Sequence, residues 1–165
     1  MIGAVLMGGK GRRLGGDKPW LTVNGRPIVE WATEMLRRIG CEEVYAVSPR
    51  RDGRWDGPWL RDSKGSGPMA GVRAVFREFP NEIVCVTSCD VVFDPRIFRE
   101  VAEPPCHTRG TLFPFLVRAE DAPEHRTVRE FLKNIGSTEL EVPATDLDEL
   151  EDLPRYRALL SRITG

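Results

Sequence analysis

The sequence predicts a single α/β domain, residues 1–165, built on a mainly parallel, doubly wound sheet. Short apolar stretches that suit buried strands alternate along the chain with amphipathic helical patterns, which is typical of right-handed β-α-β units. A glycine-rich loop follows the first predicted strand and an aspartate follows the third, as expected where ligands bind at the carboxyl ends of parallel strands. A length of 165 residues and a hydrophobic content of 41% are those of one domain with a buried core.

The first half of the chain begins with two predicted strands separated by a helix. Ile2 to Met7 is an apolar run without polar alternation, as in a strand that is buried on both faces. Pro27 stands at a first helical position, and the apolar residues after it repeat with helical spacing until Gly40. Val44 to Val47 is the second predicted strand, and the charged, glycine-containing segment 50–62 is predicted to be an irregular loop.

The alternation continues in the second half. Pro68 to Phe79 is a predicted helix, and Ile83 to Thr87 is the third buried strand. Thr111 to Val117 is predicted to be an edge strand or a bulged strand, because Pro114 cannot donate to a sheet ladder. The remaining predicted elements are helices over 95–102, 128–135 and 150–163 and a short strand over 140–142.

Composition excludes several classes of function. The chain has 24 Lys and Arg against 25 Asp and Glu, so a net charge of −1 offers no general attraction to nucleic acid or to an acidic membrane. No apolar run reaches the ~20 residues of a membrane-spanning helix, and the start lacks the basic region of a signal peptide. Four cysteines without a C-x-x-C pair make poor zinc ligands. We expect a cytoplasmic protein without nucleic-acid or membrane partners, as a monomer or small homo-oligomer.

The segment from Leu6 to Pro19 carries the strongest functional signal. It contains five glycines and four cationic side chains directly after a buried strand. Glycine lets backbone N–H groups approach an anion closely, and Lys and Arg neutralise it. The segment lacks the Gly-Lys-Ser/Thr of a Walker loop, and Leu14 stands where the third glycine of G-x-G-x-x-G belongs. It therefore predicts a polyphosphate site of another kind.

These residues resemble the signature of the molybdenum cofactor guanylyltransferases, the MobA-like branch of the nucleotidyltransferases. The stretch from Leu6 to Lys18 is similar to L-A-G-G-x-S-x-R-M-G-x-D-K, with Met7, Gly11 and Leu14 in place of Ala, Ser and Met. Further along, G-P-M-A-G-V over 67–72 resembles the family's G-P-L-A-G-I, and C-D over 89–90 is shared.

A late segment extends the resemblance with a difference. Residues 146–153, D-L-D-E-L-E-D-L, resemble the family's N-I-N-T-P-E-D-L, but Asp146 and Asp148 stand where asparagines are usual. The region between Asp90 and Arg126 is also shorter than the family usually has. That region is where the resemblance implies that the pterin substrate lies.

The resemblance implies a nucleotidyltransferase fold and the transfer of GMP from Mg-GTP to molybdopterin, with release of pyrophosphate. Arg13 and Lys18 would hold the triphosphate and act in catalysis, and Asp90 would bind Mg²⁺ together with Asp146 or Asp148. The nucleotide-binding residues that it implies are Leu6, Gly8, Gly9, Gly11, Arg12, Arg13, Lys18, Asp62, Gly67, Pro68, Ala70, Gly71 and Asp90.

Some of these roles have structural alternatives. Asp62 could accept hydrogen bonds from guanine N1–H and N2–H₂, or it could form a surface ion pair with Arg61. Asp17 could orient Lys18 or Arg13, or it could serve a turn or helix cap. Trp55 and Trp59, in the predicted irregular loop, could cover a ligand.

Alternative functions also remain open at this point. Two of them keep the chemistry and change one substrate: a guanylyltransferase acting on adenosylcobinamide phosphate, and a cytidylyltransferase acting on molybdopterin. A third belongs to another class, a catalytically silent nucleotide-binding subunit. The presence together of Arg13, Lys18 and Asp90 argues against that third function.

Overall fold

The computed structural model of the protein describes residues 1–8, 17–62 and 67–165. The strands of these residues, in chain order, are β1 (Ile2–Leu6), β2 (Thr22–Val23), β3 (Arg26–Pro27), β4 (Glu43–Ser48), β5 (Trp59–Arg61), β6 (Ile83–Ser88), β7 (Val91–Phe93), β8 (Cys106–Thr108), β9 (Leu112–Arg118), β10 (Thr138–Leu140) and β11 (Ala144–Asp146). The α-helices are α1 (Ile28–Arg38), α2 (Pro68–Glu78), α3 (Pro95–Val101), α4 (Val128–Asn134) and α5 (Leu153–Thr164). Lys18–Trp20 and Leu150–Asp152 form 3-10 helices.

Within the described residues, the main sheet has seven strands in the order β10-β8-β9-β6-β1-β4-β5. Strands β6, β1, β4 and β5 run parallel to one another, and β10 is parallel to β8. Strand β9 is antiparallel to both of its neighbours, β6 and β8. Two small antiparallel pairs, β2 with β3 and β7 with β11, lie outside the main sheet. This arrangement confirms the predicted mainly parallel α/β fold.

Helices cover both faces of the sheet because consecutive side chains of a buried strand point to opposite sides. Val5 of β1 packs into a cluster with apolar residues of α1, α3 and α5. Ala4 and Leu6, its chain neighbours, pack on the other face with residues of α2 and α4. The core is therefore divided by the sheet, as in a doubly wound fold.

The structure corrects the prediction for segment 50–62. Its last part, β5, extends the sheet by pairing in parallel with β4, and Ala46 lies opposite Trp59. The strand was missed because it is three residues long and follows a stretch rich in charge and glycine. Strands β7 and β8, also three residues long, were not predicted for the same reason of length. Such short strands are specified by their neighbours more than by local pattern.

The strand around Pro114 is interior, so the expectation of an edge strand is wrong and that of a bulge is confirmed. Between β8 and β9 the register passes from His107 opposite Phe115 to Thr108 opposite Leu112. This break lets Pro114 sit inside the sheet without a donor of its own. The Pro114 carbonyl accepts a 3.1 Å hydrogen bond from the Thr108 hydroxyl.

Two other elements begin two or three residues away from their predicted starts. The strand expected over 140–142 is β10, over Thr138–Leu140, and the last α-helix begins at Leu153 after a 3-10 turn. Among the described residues, no helix combines the length and the hydropathy needed to cross a bilayer.

Candidate active site

Three parallel strands end side by side at one edge of the sheet. In the β1 register, Leu6 lies opposite Val47 of β4 and opposite Ser88 of β6. Asp90 follows in the turn after β6, and that turn is held to the sheet because Cys89 N donates to Leu6 O at 3.1 Å. The edge thus presents Asp90 where ligands bind in open α/β sheets.

The late acidic segment reaches the same edge through the small β7–β11 pair. Asp146, the last residue of β11, lies opposite Val91, and Leu147 N donates to Asp90 O at 2.9 Å. These backbone bonds bring Asp146 and Asp148 beside Asp90, although more than fifty residues separate them in the chain. The acidic residues predicted from two separate segments, 89–90 and 146–153, therefore lie together.

Lys18 connects these acidic residues. Its Nζ lies 2.8 Å from Asp90 Oδ2 and 3.1 Å from Asp148 Oδ1. The Lys18 and Asp90 side chains are each 13% exposed. A carboxylate so far removed from water requires a partner, and the ammonium group supplies it.

Burial and mutual repulsion shift the carboxyl groups in different directions. Burial raises the pKa of Asp90, although hydrogen bonds from Lys18 and Ser88 oppose the shift. Burial and then the neighbours Asp148 and Asp90 raise the pKa of Asp146 to about 6. For Asp148, burial is outweighed by hydrogen bonds with Asp90, Asp146 and Lys18, which lower its pKa. The site thus holds more acidic groups than one ammonium ion can neutralise.

This donor set suits a magnesium ion that is shared with a nucleotide. Carboxylate oxygens are hard ligands, and Mg²⁺ usually takes one or two of them together with phosphate oxygens and water. Within residues 1–8, 17–62 and 67–165, no group of three or more His, Cys, Asp or Glu side chains forms a complete metal site. Asp90 with Asp146 or Asp148 would supply a partial set, and substrate oxygens would complete it.

A cavity of about 570 Å³ opens beside Asp90. Most of the predicted site residues that the structure describes line it: Leu6, Gly8, Asp62, Gly67, Pro68, Gly71, Asp90, Asp146 and Asp148. Lys18 reaches the same place through its contacts with Asp90 and Asp148. Ala70 is 2% exposed, packs into the protein and does not line the cavity. Gly9, Gly11, Arg12 and Arg13 lie outside the described residues.

Further lining residues were not predicted from sequence. They are Val47, Pro49, Ser88, Val91, Thr111 and Phe113. Val47, Pro49 and Ser88 could have been found, since each lies at the carboxyl end of a predicted strand. Thr111 and Phe113 carried no such signal, because they precede or begin a strand whose direction was not predicted.

Close packing shapes the wall near Asp62. A Cβ atom at Gly71 would lie 2.7 Å from Leu6 Cδ2, 3.3 Å from Val47 Cγ1 and 3.5 Å from Asp62 Oδ1. Glycine therefore lets helix α2 approach the ends of β1 and β4. Burial raises the pKa of Asp62. Arg61 lies over the Trp59 ring at 5.6 Å, and among the described residues it makes no ion pair with Asp62.

The two loop tryptophans are occupied by internal hydrogen bonds and do not line this cavity. Trp55 is 9% exposed, and its Nε1 donates to Pro58 O at 2.9 Å. Trp59 Nε1 donates to Ser48 Oγ at the same distance. The possibility that these two rings cover a ligand is therefore not supported at this cavity, because neither ring is part of its lining.

Comparison of the sequence with known proteins identifies a family and several relatives. Residues 3–136, most of the chain, match the family model described as MobA-like NTP transferase domain. A molybdenum cofactor guanylyltransferase from Cereibacter sphaeroides is 45% identical over 83 residues, which cover 47% of this chain and 42% of that protein. A molybdenum cofactor biosynthesis bifunctional protein from Synechocystis is 31% identical over 100 residues, which cover 56% of this chain and 28% of that protein. The chain thus spans less than half the length of either relative.

Solved structures agree on the fold. A molybdopterin-guanine dinucleotide biosynthesis protein A from Archaeoglobus fulgidus superposes with a TM-score of 0.59 at 20% identity, covering 98% of this chain and 100% of that one. A UDP-glucose pyrophosphorylase from Acinetobacter superposes with a TM-score of 0.62 at 11% identity, covering 94% and 92%. At these identities the likeness concerns the fold alone. Because the family model matches most of the chain, this chain is a member of the MobA-like NTP transferase domain family.

Proposed function

We propose that this chain transfers GMP from Mg-GTP to molybdopterin and releases pyrophosphate. The observation that carries the proposal is the position of the Lys18 ammonium between Asp90 and Asp148, at the edge of a cavity that also contains Asp62 and the Gly67 turn. A cation, acidic metal ligands and a base-sized cavity are what nucleotidyl transfer requires. Family membership and the name of the Cereibacter sphaeroides relative support the same reaction.

The reaction itself needs no covalent intermediate on the protein. An acceptor phosphate oxygen attacks the α-phosphorus of GTP, a new P–O bond forms, and the bond to the β-phosphate oxygen breaks as pyrophosphate leaves. Negative charge grows on the oxygens around the α-phosphorus and on the leaving group. Lys18 would neutralise part of that charge, and Arg13 would do so from the loop outside the described residues.

Asp90 would hold Mg²⁺ together with Asp146 or Asp148. When bound, the ion supplies charge neutralisation and alignment of the phosphate oxygens. Asp90 is suited to this role because the backbone bond from Leu147 and the turn at Cys89 fix its place. Burial, and after it the neighbouring Asp148 and Asp90, raise the pKa of Asp146, and a divalent cation would offset the repulsion among these carboxyl groups.

Guanine would occupy the wall formed by Asp62, Gly67 and Gly71. Gly71 adds no side chain to this wall, and the half-buried Asp62 carboxylate would accept from guanine N1–H and N2–H₂. Cytosine does not offer that pair of donors. A site built to pair with two donors rejects a base that lacks them, since its buried acceptor would be left unsatisfied.

The acceptor would lie on the other side of Asp90, where Thr111, Phe113 and Asp146 line the cavity. Molybdopterin is the acceptor we propose, because both curated relatives are named for the molybdenum cofactor. Adenosylcobinamide phosphate and a cytidylyl donor are the competing possibilities for the substrates.

Product analysis tests the proposal. The protein is offered GTP, CTP or ATP with Mg²⁺, each with molybdopterin and with cobinamide phosphate, and the dinucleotide products and pyrophosphate are measured. We expect a product with GTP and molybdopterin. A product only with CTP would replace the donor, and one only with cobinamide phosphate would replace the acceptor. No pyrophosphate in any combination would overturn the transfer function.

Asp62→Asn provides the matched test of base selection. We expect the preference for GTP over CTP to narrow, with the rate constant for CTP unchanged. The control is Asp56→Asn, an exposed aspartate outside this cavity. Unchanged selectivity in Asp62→Asn would move guanine recognition to backbone groups.

A further inference from the structure

The chain on both sides of Lys18 is tied to the same short loop. Lys18 begins the 3-10 helix Lys18–Trp20, with Asp17 before it and Pro19 buried after it. The loop that holds this turn contains Asp52 and Arg54 and lies between β4 and β5. Pro49, at the start of this loop, lines the cavity, but Asp52 and Arg54 do not.

The residues that follow Lys18 in the chain are held in place through Trp20. Trp20 Nε1 donates a 2.9 Å hydrogen bond to Asp52 Oδ2. The Arg54 guanidinium lies over the same indole ring, with its central carbon 4.7 Å from the ring centroid. The Trp20 ring is therefore held at its edge by a carboxylate and on its face by a cation.

The chain before Lys18 is held in place through Asp17. Arg54 Nη1 forms an ion pair with Asp17 Oδ2. The same guanidinium donates from Nε to Asp52 Oδ1 at 2.9 Å and from Nη2 to Asp52 Oδ2 at 2.7 Å. The Asp17 side chain is thus joined to Arg54, while its carbonyl accepts a 3.1 Å hydrogen bond from Trp20 N in the 3-10 turn. Arg13, the other partner considered for Asp17, lies outside the described residues.

Asp52 and Arg54 form one rigid unit. The Arg54 backbone N also donates to Asp52 Oδ1 at 2.9 Å, so the pair is joined by main-chain and side-chain bonds. The hydrogen bond from Arg54, followed by that from its backbone and that from Trp20, keeps the pKa of Asp52 well below its usual value. A planar fork bonded to both carboxylate oxygens fixes direction as well as distance.

We infer that Asp52 and Arg54 are positioning residues that hold the Lys18 ammonium at Asp90 by fixing Asp17 and Trp20 on either side of it. The inference rests on the proposed function, because Lys18 is the group that would neutralise charge in the transfer step. Neither residue touches Asp90 or Asp148, the two carboxylates at the Lys18 ammonium. We therefore expect their effect on turnover to depend on Lys18.

The kinetic test uses Arg54→Met, which keeps an aliphatic stem over Trp20 and removes the fork. We expect kcat to fall about tenfold, since small displacements of a catalytic group cost up to ~10²-fold, while KM for GTP stays within about twofold. Arg26→Met is the matched control. Arg26 also lies over a tryptophan, 4.6 Å from the Trp31 centroid, and also pairs with a carboxylate, Glu34, at 3.1 Å.

A double substitution separates positioning from a general loss of stability. In a Lys18→Ala background, Arg54→Met should lower kcat no further, because the group that it positions is gone. An equal fall in both backgrounds would show that Arg54 acts elsewhere and would overturn the inference. So would equal kcat values for Arg54→Met and Arg26→Met.

A second measurement does not depend on activity. Brief acetylation with mass spectrometry reports the accessibility of the Lys18 amine, and the exposed Lys133 serves as the internal reference. We expect Arg54→Met to raise Lys18 labelling severalfold relative to Lys133, and Arg26→Met to leave the ratio unchanged. An unchanged ratio in Arg54→Met would overturn the inference even if GMP transfer is observed. A raised ratio in a protein without transfer activity would support the positioning and reject the proposed function.

Discussion

Lys18 Nζ lies 2.8 Å from Asp90 Oδ2, although 72 positions separate the two residues in the chain. The contact joins the turn after the glycine-rich loop to the turn after β6. It places a positive charge that favours a triphosphate against a negative charge that favours its metal ion. We therefore expect substitution of each residue to have its own effect on turnover.

Replacing Lys18 should impair turnover more than GTP binding. Lys18→Ala removes charge and reach, whereas Lys18→Arg exchanges a compact ammonium for a broad planar fork. We expect kcat to fall by ~10²- to 10³-fold in Lys18→Ala and by less in Lys18→Arg, with a smaller change in the GTP dissociation constant. Steady-state kinetics and calorimetry measure the two quantities. Lys133→Ala, at an exposed lysine of α4, is the control, and a kcat for Lys18→Ala within about twofold of it would remove Lys18 from catalysis.

Asp90→Asn should nearly abolish transfer while the protein still folds and binds GTP. The amide lacks the charge that attracts Mg²⁺. It also removes the cost of burying a charged group, which is what raises the pKa of Asp90. We expect turnover to fall by ~10²-fold or more and the urea midpoint to stay the same or rise. Asp121→Asn, an exposed aspartate, is the control. Normal turnover of Asp90→Asn at saturating Mg²⁺ would exclude this residue as an essential ligand.

Gly71→Ala should weaken GTP binding without unfolding the protein. The new methyl group would meet the end of the Leu6 side chain at 2.7 Å, so Leu6 must move toward the cavity or α2 must shift. Overpacking of this kind costs about 1–3 kcal/mol, and the gain in helix propensity offsets up to ~1 kcal/mol of it. We expect GTP affinity to fall by about tenfold, measured by calorimetry. Gly53→Ala, where a Cβ meets no atom within 4 Å, should bind GTP normally. Equal affinities for the two variants would mean that this wall does not contact the nucleotide.

His107 should make the protein less stable in mild acid. Burial lowers its pKa below the ordinary 6.5, and the nearby Glu139 opposes this only in part. As the pH falls through 6.5, His107 is protonated in the unfolded chain but remains neutral in the folded protein. The free energy of unfolding therefore decreases. Urea unfolding at about pH 7.5 and about pH 5.5 measures the loss, and His107→Gln should show a smaller one. A loss of equal size in the variant would assign it to other groups.

Much of the architecture could be predicted because local pattern and global fold agree. The apolar runs of β1 and β6 are long enough to identify buried parallel strands, and their carboxyl ends located Asp90 and the glycine-rich loop. Family resemblance added Asp146 and Asp148, whose approach to Asp90 depends on the β7–β11 pairing. That pairing involves three residues on each strand and has no local signature.

The unpredicted part of the candidate site consists of contacts between distant segments. Thr111 and Phe113 enter the cavity because β9 is antiparallel, and the Asp52–Arg54 pair reaches Asp17 over 37 positions. Charged residues in a glycine-containing stretch are typical of a solvated loop. Only the folded arrangement shows that two of them hold Trp20 and Asp17.

Because β9 runs antiparallel to β6, different elements line the two sides of the cavity that we propose for the donor and for the acceptor. Parallel strands contribute their last residues to the ligand edge, whereas β9 contributes Phe113 near its start, and the short connection from β8 contributes Thr111. A change of length or composition in that connection would remodel the wall that we propose for the acceptor. It would leave in place β1, β4 and α2, which form the wall that we propose for the nucleotide. On this proposal, donor and acceptor preferences can change separately, and exchange of residues 109–111 is a small graft that would redirect the acceptor preference without the donor preference.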